Sequence, residues 1–403
     1  MDSSSQPVAR HRIVTALLHL GFVLTGIFMV LLGPALPALV QRWGLNDSQA
    51  GLFFAAQFLG SVLSGFLSGL LIPRFGFRPA FVSGLALMAA GAAFFLHGSW
   101  LLALLAVFVF GFGAGFMNAG TNLWIGQAYV SGASGALSFV NFSWAVGAVA
   151  CPLIVQFMQS VARFHELLIS LAVAAALLSA VFAATPVDLV ELRNADIDSA
   201  STVPIKIPRD YYAVALIILL FLYEGAETSL GGWLAMYSRE LSSVDRLRVG
   251  VVAPSFFWAG MMLGRLAGPA ILRKISSKPV VEASVGCALL SSILLLRSPS
   301  LIPLFGEALV AGLGCALVYP ILVARAIERY GVAARTVVGP MLAISGFGPA
   351  SMPWLVGVIA SHVGDLKAGL GVVLVALITI LGGLRFVYGD ASLKPSPDLP
   401  ARE

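Results

Sequence analysis

Charge is what this sequence has least of. Of its 403 residues, 24 are Lys or Arg and 19 are Asp or Glu, 11% in all, while 59% are hydrophobic. Soluble domains carry roughly 25% charged residues, and so few charges would leave a globule of this length largely undressed. The shortage excludes a soluble enzyme, a disordered chain and a nucleic-acid-binding protein. The net charge of +5 fits the positive-inside bias of a membrane protein better than a basic footprint for DNA. Cysteine is nearly missing. Cys151, Cys287 and Cys315 all lie in apolar stretches, at spacings that suit neither a disulfide framework nor a metal site. A cleavage signal is missing too. The opening MDSSSQPVARHR is polar, and no small-residue cleavage site follows the first apolar run, so it is expected to stay as a cytoplasmic tail.

What the sequence does have is long apolar runs, with a mean hydropathy of +0.95. A helix crossing about 30 Å of hydrocarbon needs about 20 mostly apolar residues. Twelve such spans are predicted, at 13–38, 48–71, 79–97, 101–127, 136–159, 166–184, 211–237, 249–272, 280–296, 302–326, 336–361 and 367–388. A β-barrel would alternate apolar and polar residues, but Leu101–Gly111 and Leu171–Leu178 are continuously apolar. An even number of spans puts both termini on one side. Seventeen of the 24 Lys and Arg residues fall on that side and seven on the other, so the termini are expected to be cytoplasmic, in an inner or plasma membrane.

One connection is both long and polar, and it divides the chain six spans to six. The expected organisation is a tail (1–12), a six-helix bundle (13–185), a cytoplasmic loop (186–210), a second six-helix bundle (211–388) and a second tail (389–403). Corresponding spans echo one another across the loop. Span 2 ends in GLLIPRFGFRP and span 8 in GRLAGPAILRKISSKP. Span 4 carries GFGAGFMNAG and span 10 AGLGCALVYP. Span 5 carries GAVACP and span 11 GFGP. Such a pattern suits a parallel repeat about an axis along the membrane normal.

The chain resembles the major facilitator superfamily over essentially its whole length. That family's loop between spans 2 and 3 reads G-x-L-a-D-R-x-G-R-R/K, and Gly69, Leu71, Arg74, Gly76 and Arg78 match it. Pro73 stands in place of the family's Asp, and Phe77 in place of a basic residue, so the charge relay of that loop is incomplete. Span 7, YEGAETSLGGW, and the run from Gly113 to Asn122 in span 4 are similar to the fucose/galactose/glucose–proton symporters and their sodium-dependent glucose relatives. The resemblance implies an all-α integral membrane protein, with twelve transmembrane helices in two pseudo-symmetric six-helix bundles. It also implies a gating loop of Gly69, Arg74, Gly76 and Arg78, with Arg265 from the matching run of span 8 grouped beside them. The fucose symporters carry one acid in span 1 and another in span 4. Here span 1 has none and Asn118 takes the span 4 place, so their coupling chemistry does not carry over.

Ionisable residues inside a span cost about 2.5–3.5 kcal/mol at its centre and are functional candidates by default. Glu224 and Glu227 stand at i, i+3 near the middle of span 7, on one helix face. Two carboxylates this close do not both ionise cheaply in low dielectric, and one is expected to hold a proton. They are candidates for both substrate binding and ion coupling. Glu307 in span 10 and His19 in span 1 are secondary coupling candidates. Gln57, Asn118, Asn122 and Asn141 offer donors and acceptors to a hydroxyl-rich solute, or else hold helices together. Asn118 and Asn122 share a face at i, i+4. Opposite chain directions put Asn122 and Asn141 in the same half of the membrane, where they are expected to meet. Trp144, Trp258 and Trp354 lie deep enough to stack on a sugar ring, with core packing the alternative.

No ATP-binding motif and no catalytic constellation is present, so a secondary transporter is expected rather than an enzyme, with no cofactor and no metal. The solute is expected to be small, polar and sugar-like, coupled to a proton or sodium gradient. The alternative is efflux of drug-like, amphipathic compounds by proton antiport. That alternative is weakened by the partial match of span 5 to the antiporter motif, where Gly147 and Pro152 fit and Cys151 replaces a glycine. The expected partners are the solute, a co-transported proton or sodium and the lipid bilayer, with the chain acting as a monomer. The charge asymmetry gives a direct prediction. A green fluorescent protein fused after Glu403 in a bacterial host should fluoresce, and alkaline phosphatase at the same place should stay inactive. The reverse pair would invert the orientation.

Overall fold

Proline decides where several of the apolar runs break. A proline ring clashes with the carbonyl four residues earlier and has no N–H to offer it. In a computed structural model, which describes residues 5–129, 133–160, 164–187, 211–241, 249–331 and 334–389, three spans are interrupted at that offset. Span 1 is two helices, Ser5–Val30 and Leu32–Trp43, breaking four residues before Pro34. Span 10 is Leu301–Cys315 and Val318–Tyr330, parting at Ala316, four before Pro320. Span 11 is Ala334–Ser345 and Phe347–Val363, parting after Ser345, four before Pro349. Span 11 thus breaks at Gly346 rather than at Pro349 itself, because the affected carbonyl precedes the proline by a turn. Pro152, Pro269 and Pro353 are carried inside continuous helices, so proline alone does not force a break.

The described residues contain no strand. Twelve stretches are long and apolar enough to cross a membrane: Arg12–Val30, Asp47–Phe75, Phe77–Phe94, Trp100–Ala128, Gly135–Met158, Phe164–Ala184, Tyr211–Glu240, Gly250–Leu272, Ser277–Leu295, Leu301–Tyr330, Val337–Val363 and Leu366–Tyr388. They match the predicted spans in number and nearly in bounds. One correction falls at the start, where the first helix begins at Ser5, inside the segment read as a polar tail. Most of the central loop and the C-terminal tail from residue 390 lie outside the described residues.

Glycines set the closest packing. Helix pairs in a membrane gain from close backbone approach at small residues. Spans 2 and 4 cross at Gly60, Gly111 and Gly115, where an added Cβ would sit 2.4 Å from the Phe108 oxygen, 2.2 Å from the Gln57 oxygen and 2.0 Å from Ser64 Oγ. Spans 1 and 5 cross at Gly26 and Gly147, 2.1 Å from the Trp144 oxygen and 2.0 Å from the Val23 oxygen. The second half repeats both crossings. Spans 8 and 10 meet at Gly260 and Gly312, and spans 7 and 11 at Gly348 against the Phe221 oxygen. Each pair recurs six spans later, so the repeat visible in the sequence is also a repeat of packing. Spans 3, 6, 9 and 12 pack against their own half. Val173, Leu177, Leu290, Val375 and Ile378 are exposed on spans 6, 9 and 12, as a lipid-facing surface requires.

The two halves touch through spans 2 and 11, 5 and 8, and 1 and 7. Gly51 packs on the Trp354 backbone. The Ser48 amide donates to Ser361 Oγ at 2.8 Å, and Ser255 Oγ donates to the Val149 oxygen at 2.8 Å. Arg239 Nη1 donates to the Pro37 oxygen at 3.2 Å, and the Phe54 and Trp233 rings lie 6.0 Å apart. All these contacts lie in the membrane half away from the termini. Toward the termini, span 4 exposes Asn118, Leu123 and Gln127 although spans 1, 2, 3 and 5 flank it. Asn118, Asn122 and Gly126, at i, i+4 and i+8, form one exposed or half-buried face; with the contacts named above at the other end, this face is read as the wall of a cleft that opens on the side of the termini.

Overpacking a tight core site costs about 1–3 kcal/mol, sometimes more. Gly111→Leu is expected to cut the yield of monodisperse detergent-solubilised protein severalfold. Gly286→Leu, with open space around its Cβ, should match wild type. Size-exclusion chromatography of fluorescent fusions reads both.

Candidate functional site

Span 7 presents Tyr223, Glu224 and Glu227 near its middle, and the spans around it in the second half converge on this turn. Ser345 Oγ, at the break of span 11, donates to Glu224 Oε1 at 2.7 Å. Arg265 Nη2 of span 8 stands 3.9 Å from Glu227 Oε1, with the two side chains 33% and 15% exposed. Tyr223, fully buried, donates its hydroxyl at 2.7 Å to the carbonyl of Cys315, where the first helix of span 10 ends. Tyr223 and Glu227 stand at i, i+4 on span 7, so their side chains share one face. Tyr319 of span 10 stacks obliquely nearby, 6.5 Å from the Tyr223 ring. One helical turn therefore pins spans 8, 10 and 11 to span 7.

The other wall of the cleft is made of amides. Asn122 Nδ2 donates to Asn118 Oδ1 at 2.8 Å and to the Asn118 oxygen at 2.9 Å. Asn141 Nδ2 donates to the Leu137 oxygen at 2.8 Å and reaches Asn122 Oδ1 at 3.4 Å. The meeting of Asn122 and Asn141 is thus present, and Asn118 extends it into a chain of three amides. Asn118 is exposed on the cleft face and the other two are half-buried.

Several sequence candidates lie elsewhere. Gln57 is fully buried, and its Nε2 donates to the Phe28 and Met29 oxygens at 3.1 Å each. It satisfies carbonyls at the end of span 1's first helix and lines no cleft. Trp354 is 40% exposed at a level where the halves are in contact, so it faces outward, away from the cleft. Trp144 and Trp258 meet edge to face at 5.6 Å, across the contact between spans 5 and 8. Trp258 is only 8% exposed, so its ring is largely covered in this conformation. Glu307 accepts from Ser298 in the turn before span 10, well away from the centre. His19 Nδ1 is 2.7 Å from Ser143 Oγ and its ring meets Phe139, a tie between spans 1 and 5.

In the gating loop, spans 2 and 3 are joined by Gly76 alone, at φ +85°, where a side chain would be strained. Arg74 and Arg78 are exposed, and Gly69 has open space around it. Arg265 does not belong with them. It lies two turns inside span 8 and reaches Glu227. Sequence reasoning paired Glu227 with Glu224 alone and missed Arg265, Ser345 and Tyr223. The general rule that membrane-buried charges are paired was the available signal for Arg265.

Residues 18–340 match the Major Facilitator Superfamily. The chain belongs to the major facilitator superfamily. This facilitator is 24% identical over 378 residues to the glucose/galactose transporter of Brucella abortus, covering 86% of this chain and 87% of that one. It is 22% identical over 353 residues to the glucose/mannose transporter GlcP of Bacillus subtilis, covering 83% and 85%. The crystal structure of the E. coli fucose:proton symporter superposes with a TM-score of 0.64 at 17% identity, over 94% of this chain and 99% of that one. At that identity the likeness shows a shared fold.

Removing one partner of a buried ion pair costs about 3–5 kcal/mol. At 3.9 Å, with Arg265 a third exposed, the loss for this facilitator should be about 1 kcal/mol. Arg265→Met is expected to lower the thermal midpoint, and adding Glu227→Gln should restore most of it. Additive losses in that double-mutant cycle would mean that the two side chains do not interact.

Proposed function

We propose that this facilitator moves a small polyhydroxylated, sugar-like solute through the cleft by alternating access, with Glu227 as the proton-sensitive carboxylate. The observation that carries this reading is the amide chain Asn118–Asn122–Asn141 on the cleft face of span 4. Amides donate and accept at once, as neighbouring hydroxyls on one solute require. The named transporters of glucose with mannose or galactose among the relatives support the same solute class. With the Lys- and Arg-rich side taken as cytoplasmic, the conformation described here opens inward. Glu227 is the central acid beside a cation on a neighbouring span. A proton on Glu227 removes the need for Arg265, and loss of the proton restores it, which biases two conformations of the halves differently.

Uptake into proteoliposomes tests both parts. Under an imposed pH gradient, acid outside, wild type should accumulate a labelled hexose above equilibrium. Glu227→Gln should lose this accumulation and keep counterflow exchange. Asn122→Ala and Asn141→Ala should raise the dissociation constant severalfold while folded yield stays near wild type. Uphill accumulation by Glu227→Gln would move the coupling elsewhere. Equal loss of yield and transport in the asparagine variants would make them helix ties.

A further inference from the structure

The break in span 10 is tied to span 7 by the Tyr223 hydroxyl, one helical turn from the carboxylate proposed to carry the proton. The first helix of span 10 ends at Cys315, and the last carbonyls of a helix have no partner within it. Pro320 leaves the Ala316 carbonyl without its usual donor, and the helix stops one residue earlier, so the Cys315 carbonyl is a helix-end carbonyl as well. The Cys315 carbonyl instead accepts the Tyr223 hydroxyl at 2.7 Å. Tyr223 and Glu227 are i, i+4 on span 7, so their side chains lie on one face as neighbours. A hydroxyl has one proton to donate. The donation is given to Cys315 here, while Glu227 has Arg265 at 3.9 Å, beyond a direct hydrogen bond.

We propose that the Tyr223 hydroxyl is a latch with two acceptors, the Cys315 carbonyl and the Glu227 carboxylate, and that it passes the protonation of Glu227 to the break in span 10. This rests on the reading of Glu227 given above. A hydrogen bond to an ionised acceptor is roughly twice as strong as one between neutral groups. With a proton on Glu227, the carbonyl is the better acceptor, and the latch holds the end of span 10's first helix. With the proton gone, the carboxylate competes for the hydroxyl, and the second helix, Val318–Tyr330, is released to swing on the break. Span 10 lies opposite span 4 in the pseudo-symmetric arrangement, so this segment bounds the open end of the cleft. The groups around Glu227 are few. Span 7 adds Glu224, which Ser345 of span 11 holds. Span 8 adds Arg265, and span 10 adds Tyr319 and the buried Cys315 thiol.

The test is a distance measurement that needs no solute. Spin labels are placed at Gln127→Cys in span 4 and Ala324→Cys in span 10, both exposed, in a Cys287→Ala background. Double electron–electron resonance in proteoliposomes then reads the separation in acidic and in alkaline buffer. Wild type should shift between the two, Glu227→Gln should not, and Tyr223→Phe, which keeps the ring, should lose the shift as well. Pro320→Ala is the second variant. It lets span 10 close into one helix, so it should be insensitive to pH even if Tyr223→Phe proves too unstable to label. A shift of wild-type size in Tyr223→Phe or in Pro320→Ala overturns the latch, and so does a wild type that ignores pH. Failure of the transport reading looks different: the distance still responds to pH, while no hexose accumulates under a proton gradient.

Discussion

Inside a bilayer every backbone polar group needs a partner from the protein itself, because hydrocarbon offers none. A continuous helix meets that demand alone, and a broken helix does not. A break leaves carbonyls at a helix end, and at two of the three breaks a side chain from a neighbouring span reaches them. Gln57 of span 2 donates to Phe28 and Met29 at the end of span 1's first helix. Tyr223 of span 7 donates to Cys315 at the end of span 10's first helix. The second of these repairs lies next to Glu224 and Glu227. The polar centre of the second half is therefore built around a place where the helix geometry fails, and its partners follow from the need to satisfy what that failure exposes.

The rest of the architecture is set by close helix crossings, within each half and between the halves. Glycine crossings bring spans 2 and 4, 1 and 5, 8 and 10, and 7 and 11 to backbone contact, and such approaches leave little room to slide. Between the halves, spans 2 and 11 pack through Gly51 on the Trp354 backbone and Gly357 on the Asp47 oxygen, with hydrogen bonds and aromatic edges beside them. Most of the groups that meet there are uncharged, so the halves can separate without stranding charge in lipid. The charged pair Glu227–Arg265 sits within one half, so rocking carries neither charge across the contact between halves.

Much of the site was legible where one helix periodicity and one chain direction were enough. Asn118 and Asn122 share a face because they are i, i+4, and Asn141 falls level with Asn122 because spans 4 and 5 run oppositely. Readings that depended on a neighbour's position fared worse. Gln57 has the chemistry of a sugar ligand, but it is spent on two backbone carbonyls. Trp354 is deep in its span and points outward, since depth along a helix does not fix the direction around it. Glu307 is inside an apolar run yet close enough to the preceding turn to take Ser298. Arg265 belongs to the run of span 8 that echoes the gating loop, whereas its side chain reaches Glu227.

What the sequence determined by itself was the set of spans, the doubling of six helices and the places where helices weaken, because hydropathy and proline act locally. Length, apolarity and the N–H that proline lacks are properties of a few consecutive residues. The tertiary structure alone decided which polar side chain meets which. Glu227 gained Arg265 from span 8, Glu224 gained Ser345 from span 11, and Tyr223 gained a carbonyl from span 10. Each of these partners lies tens of residues away along the chain. Its arrival depends on how the spans are rotated and how closely glycine lets them approach, and no short stretch of sequence records that.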